Sequence, residues 1–165
     1  MLQIVATPIG NWGDITLRAL EVLKQCDVVI GEEYRVASTL LKKLGLEQKE
    51  IFLLNEHSQK SDMQELLDLC RDKNVALISD CGTPGFSDPG AELIAACRKA
   101  KIKVTTIPGA SSLMAILSLS SKKINEFLFV GFLPAKKEER IAAIQILKNE
   151  KRSLVLMDTP YRLKH

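Results

Sequence analysis

Short β-branched runs alternate with helical patterns over most of this chain, the rhythm of an open, mostly parallel α/β sheet. Strands are predicted over Gln3–Thr7, Val28–Gly31, Ile51–Leu54, Val75–Ser79 and Val104–Ile107. Helical segments fall between them. In TLRALEVLKQ, Leu17, Leu20 and Leu23 share one side; STLLKKLG stops at Gly45; SDMQELLDLCRDK starts with Ser61 as its predicted cap. GAELIAACRKA supplies a further helix. The pattern breaks at the polar stretch SSKKIN, after which FLFVGF, KKEERIAAIQILKNEK and SLVLMD read as strand, helix and strand. The expected fold is α/β: an open, mostly parallel sheet with flanking helices over residues 1–119, followed by a second α/β lobe over residues 120–165. That second lobe reads as incomplete, because only TPYRLKH follows its last strand.

A chain of 165 residues with 46% hydrophobic content can bury a sizeable core. No run approaches the roughly 18 apolar residues that a membrane helix needs, and MLQIVATPIG has neither a basic leader nor an apolar signal block. The expectation is a cytoplasmic protein with no membrane segment. Cys26, Cys70, Cys81 and Cys97 form no C-x-x-C pair, which argues against a zinc knuckle or a redox couple, and no metal site is expected. Three of them read as buried small hydrophobes, with Cys81 set apart by its place in a loop. The net charge of +3 hides an asymmetry: residues 1–90 carry nine Lys and Arg against fourteen Asp and Glu, and residues 91–165 fourteen against six. That excess of cations suits a polyanionic partner, or else a solvated lysine-rich helix surface.

In a parallel sheet the carboxyl ends of all strands open on one edge, where backbone amides and helix starts converge on ligands. Three loops expected on that edge combine glycine with proline: TPIGNWGD from Thr7, SDCGTPGFSDPG from Ser79 and PGASS from Pro108. None is a nucleotide loop. GNWG lacks the further glycine of G-x-G-x-x-G, and no Walker lysine follows any of the loops. Asp80 falls at a strand end, where an ionised carboxylate needs donors from loop amides or from a ligand amine or hydroxyl. Asp88 reads as the cap of the helix starting near Pro89, and Ser111 and Ser112 either cap the next helix or receive the polar groups of a ligand.

VATPIGNWGDITLRALEVLK, SDCGTPGFSDPG, IPGASS, FVGFLP and DTPYR occur in this order over nearly the whole chain. Together they resemble the ribosomal RNA small-subunit methyltransferase I family, the cytidine-2′-O-methyltransferases within the tetrapyrrole methylase superfamily. Small-molecule members of that superfamily typically show a G-x-G-P-G-D-type first loop and a G-D-P-type second loop, whereas this chain reads TPIGN and SDCGTPG. The resemblance implies two α/β lobes, a homodimer, and S-adenosyl-L-methionine bound between the lobes. It implies that Pro8, Ile9 and Gly10 line the cofactor, that Asp80, Gly82 and Thr83 bind it through the second loop, that Ser111 and Ser112 do so through the third, and that Met157 contributes from the second lobe. The implied substrate is small-subunit ribosomal RNA, naked or in the assembled subunit.

A ribose 2′-hydroxyl is a poor nucleophile and needs a base, or cations that stabilise the developing alkoxide. Within GEEYR and NEHS, Glu33 and His57 are the candidates for proton handling, and Arg35 for positioning phosphate or stabilising charge; their alternatives are a Glu33–Arg35 ion pair and a structural histidine. Lys136, Lys137 and Arg140 follow GFLP and are candidates for the RNA backbone, or else an exposed helix start diluted by Glu138 and Glu139. Trp12 is placed either to stack on a splayed base or simply to pack. The chain departs from the family in reading EEYR for E-D-T-R and MDTPYR for Y-E-S-P-H-R, and the family continues beyond that point. A piece of a longer protein and a short non-catalytic form are therefore both expectations, beside a methylase of the same fold with a small-molecule or protein substrate.

Overall fold

Five of the apolar runs pair into one sheet. The structure, a computed structural model, describes residues 1–46, 48–55, 58–86, 89–159 and 162, with all of their side chains but that of Lys60. Its backbone divides into two compact units, Met1–Ser112 and Leu113–His165. In the first, β1 (Leu2–Val5), β2 (Val28–Gly31), β3 (Glu50–Leu53), β4 (Val75–Leu77) and β5 (Val104–Ile107) lie in the order β3-β2-β4-β1-β5. Every pairing is parallel, with Gln3 of β1 opposite Ala76 on one side and Thr105 on the other. The inner strands β2 and β4 are buried throughout, which is why their sequences VVIG and VAL are apolar without alternation.

The connecting helices sort onto opposite faces. α1 (Leu17–Gln25) and α2 (Tyr34–Lys43) cover one, where Ala19, Leu23, Ala37, Leu40 and Leu41 pack with Val5, Val29, Ala76 and Ile78. α3 (Lys60–Asp72) and α4 (Ala91–Lys99) cover the other, where Leu66, Cys70, Leu93 and Cys97 pack with Leu2, Val28, Ile30 and Leu77. Successive strand residues point to alternate faces, so Val28 and Val29 serve different cores. β1 and β4 are neighbours, yet the chain leaves β1 for the α1 face and leaves β4 for the α4 face. Such a switch point leaves a crevice outside the carboxyl ends of the two strands.

Several boundaries differ from those read off the sequence. β1 and β4 stop two residues early, because Ala6–Thr7 and Ile78–Ser79 are already part of the loops. Leu17 does not share the buried side of α1: it is 80% exposed, and the stripe on the sheet is Ala19 and Leu23. α2 begins at Tyr34, four residues ahead of Ser38, so Arg35 belongs to its first turn. Ser61 is not a cap; it sits inside α3, whose cap Gln59 gives its backbone N–H to the Asp62 carboxylate at 2.8 Å. Asp88 lies outside the described residues, and the cap position of α4 is Gly90. Cys26, Cys70 and Cys97 are buried and Cys81 is exposed, and none of the four is in a disulfide; burial, then the neighbouring Cys97, pushes the Cys70 thiol up to about 12.

The second unit contains β6 (Phe127–Phe132) and β7 (Ser153–Met157), paired in parallel and linked by α6 (Lys137–Leu147). α5 (Ser112–Ser118) carries the chain out of the first unit, and the polar stretch at 120–125 lies inside the second. No residue of α6 is buried. Among the described residues no helix is long and apolar enough to cross a membrane. Leu23 is fully buried in the α1–α2 core. Leu23→Ala is expected to cost about 2–5 kcal/mol of stability, read as a lower midpoint in urea unfolding with an unchanged slope.

Candidate functional site

The loops that follow β1, β4 and β5 are tied to one another. Thr7 and Gly82 exchange two backbone hydrogen bonds, Thr7 N–H to Gly82 O at 2.8 Å and Gly82 N–H to Thr7 O at 3.2 Å, an antiparallel bridge attached to an all-parallel sheet. The Thr7 hydroxyl donates to the carbonyls of Ser79 and Gly82 at 3.2 and 3.4 Å. The Ser79 hydroxyl donates to those of Cys81 and Gly82 at 3.2 and 3.3 Å, which folds the second loop back on itself. The third loop joins through Thr83, whose hydroxyl donates to Ala110 O at 3.3 Å. It also presses on the first: a Cβ added to Gly109 would stand 2.9 Å from Ala6 Cβ, a contact that only glycine avoids. Thr7 and Ser79 are buried at 2% and 4% exposure, so the hydroxyls in the sequence TPIG and SDCG serve the framework and not the solvent.

This framework sets out Asp80 at the end of the β4 segment. Its carboxyl pKa is raised above the ordinary 3.8, first by burial and then by the nearby negative charge of Glu33, with a hydrogen bond from the Glu33 backbone pulling the other way. Glu33 itself holds the cap position of α2. Beside Asp80 is a cavity of about 200 Å³ lined by Thr7, Pro8, Gly10 and Trp12 from the first loop, Val36 and Leu40 from α2, and Cys81. Gly10 has φ +138° and nothing within 4 Å of where a side chain would be, so its backbone is open to a ligand. An apolar cavity with one poorly compensated carboxylate suits a ligand with an apolar body and a cationic or hydrogen-donating group.

The sequence-predicted residues are only partly brought together. Pro8, Ile9, Gly10, Asp80, Gly82 and Thr83 belong to the knitted loops, with Ile9 Cγ2 3.6 Å from where Gly82 would carry a Cβ. Ser112 opens α5 and Ser111 directly precedes it. Arg35 is exposed in the first turn of α2, and no ion pair joins it to Glu33 among the described residues. His57 lies outside the described residues. A second cavity of about 670 Å³ is lined among others by Glu32, Asn55, Ser58, Gly90 and Glu92. In the second unit, Met157 ends β7; Lys136 precedes α6 and pairs with Glu139 at 3.2 Å, and Arg140 reaches Ala135 O at 3.4 Å. Sequence reasoning missed Val36 and Leu40, although their i, i+4 spacing on α2 is a signal for a shared face. Trp12, 46% exposed, lines the cavity.

An α/β sheet with glycine-rich loops gathered at its switch point defines a ligand-binding domain of the doubly wound class. Residues 1–165 match the family described as Tetrapyrrole (Corrin/Porphyrin) Methylases. The chain is 43% identical over 164 residues to the Ribosomal RNA small subunit methyltransferase I of Synechocystis sp., covering 99% of this chain and 58% of that protein. It is 38% identical over 163 residues to the protein of the same name from Leptospira biflexa, covering 99% and 68%. Among solved structures, diphthine synthase superposes with a TM-score of 0.65 at 19% identity, over 96% of this chain and 65% of that one. Uroporphyrin-III-C-methyltransferase from Thermus thermophilus does so with a TM-score of 0.59 at 24% identity, over 79% and 59%. These two likenesses carry the fold. The chain belongs to the tetrapyrrole methylases and, within them, to the ribosomal RNA small subunit methyltransferase I family. It spans 58% of the length of the Synechocystis relative.

Because the Asp80 pKa is higher in the folded chain than in the unfolded one, the stability it allows is complete at low pH and is lost as pH rises through its folded value. Asp80→Asn keeps the shape without the charge. The variant is expected to melt above the wild type at neutral pH, with the difference vanishing once the pH falls below the ordinary aspartate value of 3.8. Thermal melts across that range check it.

Proposed function

We propose that the chain is the cofactor-binding part of an S-adenosylmethionine-dependent methyltransferase that modifies the ribose 2′-oxygen of a cytidine in small-subunit ribosomal RNA. The observation that carries the reading is the junction of the three loops, which sets Asp80 beside an apolar cavity at the switch point. The names of the relatives support the RNA, and the first and second loops support this branch of the superfamily. The residues present fit the cofactor, because the open backbone at Gly10 admits a flat body and the Asp80 carboxylate favours a positive neighbour. When bound, S-adenosylmethionine supplies a methyl group on a positively charged sulfur.

In this reading Pro8, Ile9, Gly10, Asp80, Gly82 and Thr83 would hold the cofactor together with Ser111 and Ser112 around the start of α5, and Met157 at the end of β7 is the further residue that the family resemblance adds. Asp80 accepts a hydrogen bond from an amine or hydroxyl, and that contact lowers its pKa again. Glu33, or His57, takes the proton of the 2′-hydroxyl. Arg35 offers a guanidinium that can engage phosphate in two parallel hydrogen bonds. Lys136, Lys137 and Arg140 meet the RNA backbone. The Lys136–Glu139 pair is a surface pair, with 78% and 57% of the two side chains exposed, and is easily exchanged for a phosphate.

Titration calorimetry with S-adenosylmethionine tests the cofactor site. Asp80→Ala is expected to lose about 1–3 kcal/mol of binding, roughly five-fold to 150-fold in affinity, without loss of fold. Equal affinity in the folded variant removes Asp80 from the site. Wild-type affinity is also expected to fall as the pH is lowered through the raised Asp80 value, since protonation removes the favoured charge. For the RNA, replacing Lys136 and Lys137 by Ala is expected to reduce the slope of log affinity against log salt by about 1. An unaltered slope leaves them as surface lysines. The chemistry is read by mass spectrometry of small-subunit RNA after incubation with labelled cofactor, where label anywhere but on a cytidine ribose refutes the assignment.

A further inference from the structure

α2 and α4 end in the same way, with one difference. After α2, Leu46 N–H bonds Leu41 O at 3.0 Å and Gly45 N–H bonds Lys42 O at 3.1 Å, with Gly45 at φ +66°. After α4, Ile102 N–H bonds Cys97 O at 2.9 Å and Lys101 N–H bonds Arg98 O at 3.1 Å. Both are Schellman turns, whose left-handed position is ordinarily glycine. α4 puts Lys101 there, at φ 57°, the one described non-glycine residue with positive φ. A side chain in that region is strained against the following carbonyl, so glycine would be the easier choice and a lysine gains nothing for the turn itself.

Lys101 is not alone. Arg98, Lys99, Lys101 and Lys103 are all exposed within six residues, and none of the four enters an ion pair among the described residues. Between Glu92 and Glu126 the chain has no acidic residue, and Glu92 lies in the first turn of α4, about 9 Å along the axis from Arg98. Of the acidic groups elsewhere on this end of the sheet, Glu50 pairs with Lys73, Asp68 with Arg71, and Asp27 accepts the Asn74 amide, while Asp72 at the end of α3 is exposed and enters no ion pair among the described residues. The helix dipole accounts for cations in the last turn, Arg98 and Lys99, but not for those beyond it. The Lys103 carbonyl is fixed by Leu2 N–H at 2.9 Å, so the turn is anchored to the central sheet and its cations start from a rigid base.

We propose that the α4–β5 turn is a second phosphate-binding surface for the RNA substrate, at the amino-terminal edge of the sheet and on the far side from the cofactor loops. The proposal rests on the RNA reading above. Clustered unpaired cations on a fixed turn complement a polyanion, and four flexible side chains with no aromatic among them read backbone and not bases. About the length of β5, roughly 13 Å, separates this turn from the loop edge, so it holds RNA away from the target nucleotide. It therefore raises affinity and leaves the chemical step untouched.

The test compares the wild type, Lys101→Gly, and the variant with Arg98, Lys99, Lys101 and Lys103 all replaced by Ala. Binding of a labelled single-stranded RNA oligonucleotide is followed by fluorescence anisotropy across salt, with cofactor calorimetry and melting temperature alongside. Lys101→Gly is expected to melt higher than wild type yet bind RNA more weakly, opposite signs that a structural role cannot produce. The quadruple variant is expected to flatten the log–log salt slope by about 2 to 3, at about 0.7 per lost phosphate contact, with unchanged cofactor affinity. With small-subunit RNA as substrate, KM rises and kcat stays. If both variants bind RNA with wild-type affinity and slope while the wild type methylates RNA, the surface is not an RNA site and the functional reading stands. If they lose RNA affinity but no RNA is ever methylated, the surface stands and that reading falls. A wild type that binds polyglutamate peptide and not RNA overturns both.

Discussion

The two backbone hydrogen bonds between Thr7 and Gly82 are the constraint on which the ligand edge depends. In a doubly wound sheet the chains leaving β1 and β4 diverge to opposite faces, and nothing in the parallel ladder holds their loops together. The antiparallel bridge does so by reversing the second loop within five residues of the end of β4. Such a reversal strands carbonyl groups in a buried place, and the Ser79 and Thr7 hydroxyls meet them. With the bridge in place, Thr83 can reach Ala110 and Gly109 can lie against Ala6, so the third loop is positioned by the first two.

On the proposed reading, the same reversal carries a cost that belongs to function. Asp80 is left exposed at the tip, its carboxyl partly desolvated and with Glu33 as a neighbour, a combination that resists ionisation. Natural proteins keep such unfavourable groups where a ligand relieves them, and the trade between stability and activity is sharpest there. The framework residues Thr7 and Ser79 spend their hydroxyls inside the fold, whereas Asp80 lies outside the ties it helps to frame. Division of labour within the short stretch SDCGT thus separates what holds the loop from what the loop presents.

Much of this was legible in the chain. The apolar runs located all five strands of the first sheet to within two residues; the inner β2 and β4 are buried on both faces and need uninterrupted apolar sequence, and the edge strands β3 and β5 still carry β-branched and apolar residues although they are only partly buried. Glycine and proline marked the three loops. What pattern could not convey was how those loops meet: the Thr7–Gly82 and Thr83–Ala110 contacts join residues about 75 and 27 apart and depend on strand order, which no local signal encodes. Helix starts were the weakest point. α3 uses Gln59 with Asp62 where Ser61 had the better intrinsic preference for a cap, and α2 begins at Tyr34 because Glu33 is still extended at the end of β2. Leu17 followed the helical spacing but not the burial, which falls on Ala19 and Leu23.

Charge was the property most distorted by reading along the chain. Cutting the sequence at residue 90 assigns the cations of the α4–β5 turn to a basic C-terminal part, but the fold returns all four to the first unit. That unit is then polar from end to end. Its loop edge carries Asp14, Glu32, Glu33, Asp80 and Glu92 with Arg18 and Arg35, and its opposite edge carries Arg98, Lys99, Lys101 and Lys103 with Asp27, Glu50 and Asp72. An acidic edge welcomes a cationic cofactor and repels a polyanion, over distances comparable with the Debye length of about 8 Å at physiological salt. On the proposed function, a domain that brings both ligands to the same edge has to draw the polyanion in with cations placed elsewhere, beyond the reach of the repulsion and on backbone stiff enough to hold them. The α4–β5 turn meets both conditions, and it keeps a lysine where glycine would fold more easily.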